Sequence, residues 1–204
     1  KDSQVQFFIL FVIASILIVT FWNYQSTATF FNNFRSSFFN TISIFTGTGY
    51  TTQDFNNWGS FIIVLFLFLM LVGGCAGSTT CGIKIFRLQI LYKSAKIQIF
   101  KLLNPHGVSV AKYNKIPVSE AITSSVMGYF FMFIISYIVI TLLLSFVGND
   151  FLTSLSGAAT SLANVGPGLG NVIGPSKTFA GLSDTTKWIL IIGMLTGRLE
   201  LLSV

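Results

Sequence analysis

Charge is scarce in this chain: Asp, Glu, Lys and Arg together make up 9% of its 204 residues, against about a quarter in an ordinary soluble domain. A water-facing globular surface is therefore excluded, and the chain is expected to be an integral membrane protein. Histidine is nearly absent too. His106 is the only one, and no Asp falls inside a long apolar run. An intramembrane protease, which needs a nucleophile or base facing a His or a second Asp within a span, lacks its parts. Two cysteines, Cys75 and Cys81, with one distant His do not make a zinc site, and no metal other than a transported ion is expected. Both are expected to be free thiols. Nor does a cleavage-site pattern follow the first apolar run. Lys1 and the apolar ending Leu201-Leu202-Ser203-Val204 suggest a piece of a longer chain.

What is present is apolar: 52% hydrophobic residues, 22 of them Phe. Basic residues are gathered. Lys84, Arg87, Lys93, Lys96, Lys101, Lys112 and Lys115 lie between positions 84 and 118, with no acidic residue among them. The positive-inside rule makes this window cytoplasmic. No stacking aromatics are interleaved as a nucleic-acid surface would require, so no nucleic-acid partner is expected.

Along the chain, Val5 to Trp22 is long enough to span a bilayer, and Phe34 to Phe45 is apolar but too short, which reads as a re-entrant half-helix. Next comes a stretch of alternating Thr and Gly, Thr46-Gly47-Thr48-Gly49-Tyr50-Thr51-Thr52. It suits neither helix nor strand, and glycine lets successive carbonyls turn toward one line. Either an ordinary loop or a carbonyl filter fits such a stretch. The apolar run Phe61 to Val72 breaks at Gly73-Gly74-Cys75-Ala76-Gly77-Ser78-Thr79-Thr80-Cys81-Gly82. Irregular backbone at membrane depth is tolerated inside protein or beside water, so this loop either lines a cavity or is a plain interfacial turn. It is not a phosphate-binding P-loop, because Ile83 stands where a Lys must follow Gly82. Helix character resumes over Ile83 to Leu103. A polar linker containing His106 leads to a second long span, Ala121 to Phe146. A second half-helix, Phe151 to Ala163, follows, and then Asn164-Val165-Gly166-Pro167-Gly168-Leu169-Gly170 and a last span from Trp188.

An offset of 117 positions lays Phe34 on Phe151, Ser37 on Ser154, Ser43 on Thr160 and Gly49 on Gly166. The order of elements repeats with it. The expected fold is an all-α integral membrane protein of two span–pore-helix–filter–span repeats, the second span of the first repeat being broken. The repeats occupy 1–103 and 119–204, joined by a basic cytoplasmic linker over 104–118. Both half-helices then descend from outside, where Asp54, Asp150 and Asp184 fall. Their C-terminal ends, each carrying roughly −0.5 charge, favour a cation between them. Arg198 lies about 15 Å along the last span from Trp188. A lipid-facing arginine there costs at least ~2.5 kcal/mol, so it faces water or a partner: either a pore, or a structural ion pair such as one with Glu200 of another segment. Gly193 and Gly197 read as a helix-packing pair.

The Thr46–Thr52 stretch, the Gly-Gly-Cys-Ala-Gly-Ser-Thr run at 73–79, the Asn164–Gly170 stretch and Gly197-Arg198-Leu199-Glu200 together resemble the membrane subunit of Trk/Ktr potassium transporters, TrkH type. The resemblance implies a four-repeat pore of which this chain is similar to the third and fourth repeats. It implies potassium as the transported ion, no cofactor and no enzymatic activity. Carbonyls of Thr46, Gly47 and Thr48, before the filter residue Gly49, would face the ion, as would those of Ala163, Asn164 and Val165 before Gly166. A gating loop carrying Gly73, Gly74, Gly77 and Gly82 would lie beneath, although Thr80-Cys81 stands where further glycines are expected. Arg198 would be an electrostatic barrier in the pore. A homodimer in a bacterial inner membrane, with a cytoplasmic nucleotide-binding regulatory subunit, would complete the system. Channel or symporter stays open, as do two other readings: a two-repeat cation channel that dimerises, and a non-conducting membrane scaffold.

Overall fold

The computed structural model describes residues 2–24, 30–104, 112–114 and 116–200. His106, Lys115, most of the 104–118 linker and the end of the last span lie outside these residues. The described chain is mostly helical. Helix α1 covers Ser3–Asn23, α2 Phe30–Phe45, α3 Ser60–Leu71, α4 Ile85–Leu103, α5 Glu120–Phe146, α6 Phe151–Ala163, α7 Gly170–Ile173 and α8 Asp184–Arg198. Single 3-10 turns occur at Phe55–Trp58 and Phe179–Gly181. One departure from the all-α expectation is a hairpin of two-residue strands, β1 Lys112–Tyr113 and β2 Ile116–Pro117, paired antiparallel in the linker.

Helix starts follow capping chemistry. Backbone N–H groups of the first turn need acceptors, and Asp or Ser side chains supply them. Asp150 accepts from the Thr153 N–H, Ser119 from Ile122, Ser183 from Thr186 and Asp2 from Gln4. Among the described residues, α1 and α5 are the helices long and apolar enough to cross a membrane. Their outward faces are bare hydrocarbon: Leu10, Phe21, Leu142 and Phe146 are exposed, Phe146 at 90%. Such continuous apolar faces suit a lipid or protein neighbour, not water.

Helix α6 is the centre of the molecule. From Thr153 to Ala163 every residue but Leu155 is buried. Its Ser, Gly, Ala and Thr side chains let helices approach closely on several sides. Ala159 and Ala163 face a core with Phe45, Phe55, Phe66 and Met70. Ala158 and Leu162 face another with Phe133, Ile140 and Leu144. On α8, a Cβ at Gly193 would lie 2.7 Å from Ser161 Oγ, and one at Gly197 would overlap the Leu162 carbonyl. The glycine pair therefore sets how closely α8 packs on α6. Helix α2 differs. It buries a polar face of Asn33, Ser36, Ser37, Asn40 and Thr41 and leaves Phe30, Phe31, Phe34, Phe38 and Phe39 bare.

Candidate functional site

The chain leaves α2 through a tight exit. The Thr46 N–H donates to the Ile42 carbonyl (2.9 Å), Gly47 to Ile44 (3.2 Å) and Thr48 to Ser43 (2.9 Å). Gly47 and Gly49 have φ of +66° and +79°, left-handed values that cost an L residue roughly 1–2 kcal/mol. Alternating left-handed residues with ordinary ones swings successive peptide planes, so glycine is placed where the turn needs it.

The exit from α6 is the same at the offset of 117. Asn164 takes the place of Gly47 with φ +52°, and Gly166 that of Gly49 with φ +117°. The Val165 N–H donates to the Thr160 carbonyl at 3.1 Å, as Thr48 does to Ser43. Asn tolerates the left-handed region better than other non-glycine residues. Its Nδ2 also donates to the Met194 carbonyl on α8 (3.1 Å).

These two exits meet. A Cβ on Gly166 would lie 3.5 Å from the Gly49 Cα, and one on Gly47 would lie 3.8 Å from the Asn164 carbonyl oxygen. A Cβ on Gly49 would overlap the Val165 carbonyl oxygen. The C-terminal ends of α2 and α6 thus face a common place, each bringing its partial negative charge and main-chain oxygens. An arrangement of this sign and polarity can hold a dehydrated cation without a charged side chain.

Beyond the meeting point each limb is pinned to its own half-helix, at a matching position on the limb (Thr52 and Leu169) and one residue out of step on the helix (Asn40 and Ser156). Asn40 Oδ1 accepts from the Thr52 N–H (3.1 Å). Ser156 Oγ accepts from the Leu169 N–H (3.0 Å).

The glycine-rich stretch after α3 forms a closed loop. Its neck is a parallel bridge between Val72 and Ile83, with the Gly73 N–H donating to Ile83 and the Ile83 N–H to Leu71, both at 2.9 Å. Thr80 Oγ1 accepts from the Gly74 N–H (2.8 Å) and shares a hydrogen bond with the Ser78 hydroxyl (2.6 Å). The Thr80 methyl carbon would lie 3.8 Å from a Cβ on Gly47, which sets this loop directly against the α2 exit. Thr80, where further glycine was expected, is thus the residue that closes the loop.

Arg198, the last residue of α8, reaches the same loop. Its guanidinium donates to the Thr79 carbonyl (2.9 Å), and Cys81 Sγ lies 3.9 Å away. The expected alternative partner, Glu200, is engaged elsewhere. It pairs with Lys84 and, at 3.2 Å, with Arg87. Arg87 lies 3.7 Å over the Tyr129 ring, and Tyr129 donates to the Gly82 carbonyl (3.1 Å). Two of the seven basic residues in the 84–118 window are therefore tied to Glu200, two residues beyond the end of α8. Helix α8 begins at Asp184, so Arg198 stands about 21 Å along it, at the negative end of the helix dipole, where a cation is favoured.

Among known proteins, the family described as TrkH, cation transport protein, matches residues 4–204. The chain belongs to the TrkH family. It is 44% identical over 204 residues to the Trk system potassium uptake protein TrkI of Halomonas elongata, and 34% identical over 209 to the Trk system potassium uptake protein TrkH of Vibrio parahaemolyticus. All of this chain is covered in both, and 42% of each relative. The crystal structure of the potassium transporter TrkH from Vibrio parahaemolyticus superposes with a TM-score of 0.92 at 33% identity, over 100% of this chain and 43% of that one. The chain thus spans less than half the length of these TrkH-family relatives. Within it, Asn56, Tyr129 and the pairing of Lys84 and Arg87 with Glu200 are not legible from sequence, because a single polar contact carries no periodicity.

Proposed function

We propose that this chain is part of a potassium-conducting membrane subunit of a Trk-type uptake system. Dehydrated K+ passes the main-chain oxygens of Thr46, Gly47, Thr48 and Gly49 on one side and of Ala163, Asn164, Val165 and Gly166 on the other. The observation that carries this reading is the approach of Gly49 and Gly166, on two exits with the same left-handed alternation. Two span–pore-helix–filter–span repeats, 1–103 and 119–204, with a cytoplasmic linker over 104–118, account for the offset. As in the family, two further repeats close the ring, and the protein sits in a bacterial inner membrane as a homodimer with a cytoplasmic nucleotide-binding regulatory subunit.

The loop carrying Gly73, Gly74, Gly77 and Gly82 is the gate beneath the filter, and Arg198 is its barrier. The hydrogen bond from Arg198 to the Thr79 carbonyl, with Glu200 paired to Lys84 and Arg87 instead, favours the pore-side reading over the ion pair and makes Arg198 a fastening of the loop. Arg198→Ala then raises cation flux, and unchanged flux removes Arg198 from the gate.

Uptake of K+ and Na+ by the full-length protein, in cells lacking their own potassium uptake, tests the whole reading. Growth at low potassium with K+ uptake exceeding Na+ uptake is expected, and Gly49→Ser is expected to erode that preference. No uptake above background overturns it.

A further inference from the structure

We propose that Asn56 is a positioning residue for ion selectivity, holding the second filter limb in register with the first; this rests on the filter reading above. Asn56 Oδ1 accepts from the Gly170 N–H and its Nδ2 donates to the Gly170 carbonyl, both at 3.0 Å. A single side-chain amide thus occupies both polar groups of one backbone residue in the other half of the chain. Two such bonds fix orientation as well as distance, which one bond does not.

Both ends of this clamp are firmly seated. The Asn56 N–H donates to Asp54 Oδ1 (3.1 Å). The turn that carries it, Phe55–Trp58, rests on α3 through ring contacts of Phe55 and Trp58 with Phe66 at 4.9 and 6.2 Å between centroids. Phe55 is fully buried. Gly170, with φ +90°, follows Leu169, whose N–H is held by Ser156. Gly174 leaves room for the amide, since a Cβ there would overlap Asn56 Nδ2. Two further bonds cross between the halves nearby, from Thr51 Oγ1 to the Pro175 carbonyl (3.1 Å) and from Ser176 Oγ to Asp54 Oδ2 (2.5 Å).

A carbonyl filter discriminates between cations by the spacing and number of oxygens that opposing strands present. Each limb is pinned to its own half-helix, by Asn40 and by Ser156, but those pins leave the separation between limbs open. Asn56 sets that separation from four residues beyond Gly166, without touching the ion.

The test is K+ and Na+ influx into proteoliposomes holding the full-length protein, with Asn56→Asp, Asn56→Ala, Ser176→Ala and Gly49→Ser compared. Asn56→Asp keeps the acceptor for Gly170 N–H but sets an oxygen against the Gly170 carbonyl. Asn56→Asp is expected to lower the K+ to Na+ flux ratio about five-fold, the equivalent of one neutral hydrogen bond, and Asn56→Ala, which loses both bonds, by at least as much, with K+ flux itself little changed. Ser176→Ala is expected to keep the parental ratio. An unchanged ratio in both Asn56 variants, beside a lowered one in Gly49→Ser, overturns the clamp and leaves the filter standing. An unchanged ratio in Gly49→Ser overturns the filter reading and this inference with it. Failure of both Asn56 variants to enter the membrane assigns Asn56 to folding and overturns its selectivity role.

Discussion

The exits from α2 and α6 trace similar backbone paths with different chemistry. At the left-handed position after the helix, one uses Gly47 and the other Asn164. To hold the returning limb, one uses Asn40 and the other Ser156. Gly49 and Gly166 differ most. The Gly49 N–H donates to the Ser43 main-chain carbonyl at 3.4 Å, whereas the Gly166 N–H donates to the Thr160 hydroxyl at 2.9 Å. The Ser43 hydroxyl is left buried and without a partner. Positive φ at the same two positions and the amide pairing of Gly47 and Thr48, matched by Asn164 and Val165, are therefore what the two copies share, while the side chains around them differ. That is how the copies diverge in sequence while keeping a common offset.

The largest asymmetry is expected at the two glycines themselves. Both have positive φ, which alone costs a substituted residue roughly 1–2 kcal/mol. Space differs: a Cβ at Gly49 overlaps the Val165 carbonyl, whereas one at Gly166 meets nothing nearer than 3.5 Å. Gly49→Ser should therefore cut the K+ to Na+ flux ratio by about thirty-fold or more, and Gly166→Ser by about five- to thirty-fold, the range that the dihedral cost implies. Equal effects in parallel flux assays would mean that the overlap is relieved by a small shift of the limb.

Next in size is the pair Thr160 and Ser43. Thr160→Val strands the Gly166 N–H and should destabilise the protein by about 1–3 kcal/mol, while Ser43→Ala removes an idle hydroxyl and should cost under about 0.5 kcal/mol. Thermal unfolding of the two variants in detergent reads the difference, and a costly Ser43→Ala would contradict the division of labour described above.

The smallest effect is expected at Asn164. Asn164→Gly keeps the left-handed turn and loses the bond to Met194, whereas Asn164→Ala loses both. The first should cost about 1 kcal/mol or less, and the second roughly 1 kcal/mol more. Equal costs, by the same unfolding measurement, would show that the Met194 bond and not the turn is what Asn164 supplies.

Much of this architecture is legible in the residues. The bounds Phe151–Ala163 of α6 can be read directly, because Asp150 caps one end and a glycine-rich run ends the other. The start of α2 is harder. Asn32 and Asn33 suggest a loop before Phe34, yet the helix begins at Phe30 and the Asn33 amide folds inward to the Asn23 carbonyl (3.2 Å). Glycine composition marks Gly47, Gly49 and Gly166 as turn positions, while Asn164 has only the mild left-handed preference of its type. What a single chain cannot display is reach across it. The contacts of Asn56 with Gly170, Arg198 with Thr79, and Glu200 with Lys84 and Arg87 each join residues more than 100 positions apart. Nothing in local spacing announces them.

In the gate proposed above, the bridge between Val72 and Ile83 sets how much of the molecule must yield for ions to pass. Since the strand entering the loop and the strand leaving it are tied to each other, the ten residues between can swing aside while α3 and α4 stay still. Their ties to the rest of the chain are a handful of polar bonds: Arg198 to the Thr79 carbonyl, the Ala76 N–H to Gln4 Oε1, Tyr129 to the Gly82 carbonyl and the Ile85 N–H to the Gly74 carbonyl. Loop excursions of that kind run in nanoseconds to microseconds, ahead of the collective helix movements that take microseconds to milliseconds. Opening of the proposed gate is then local to the loop.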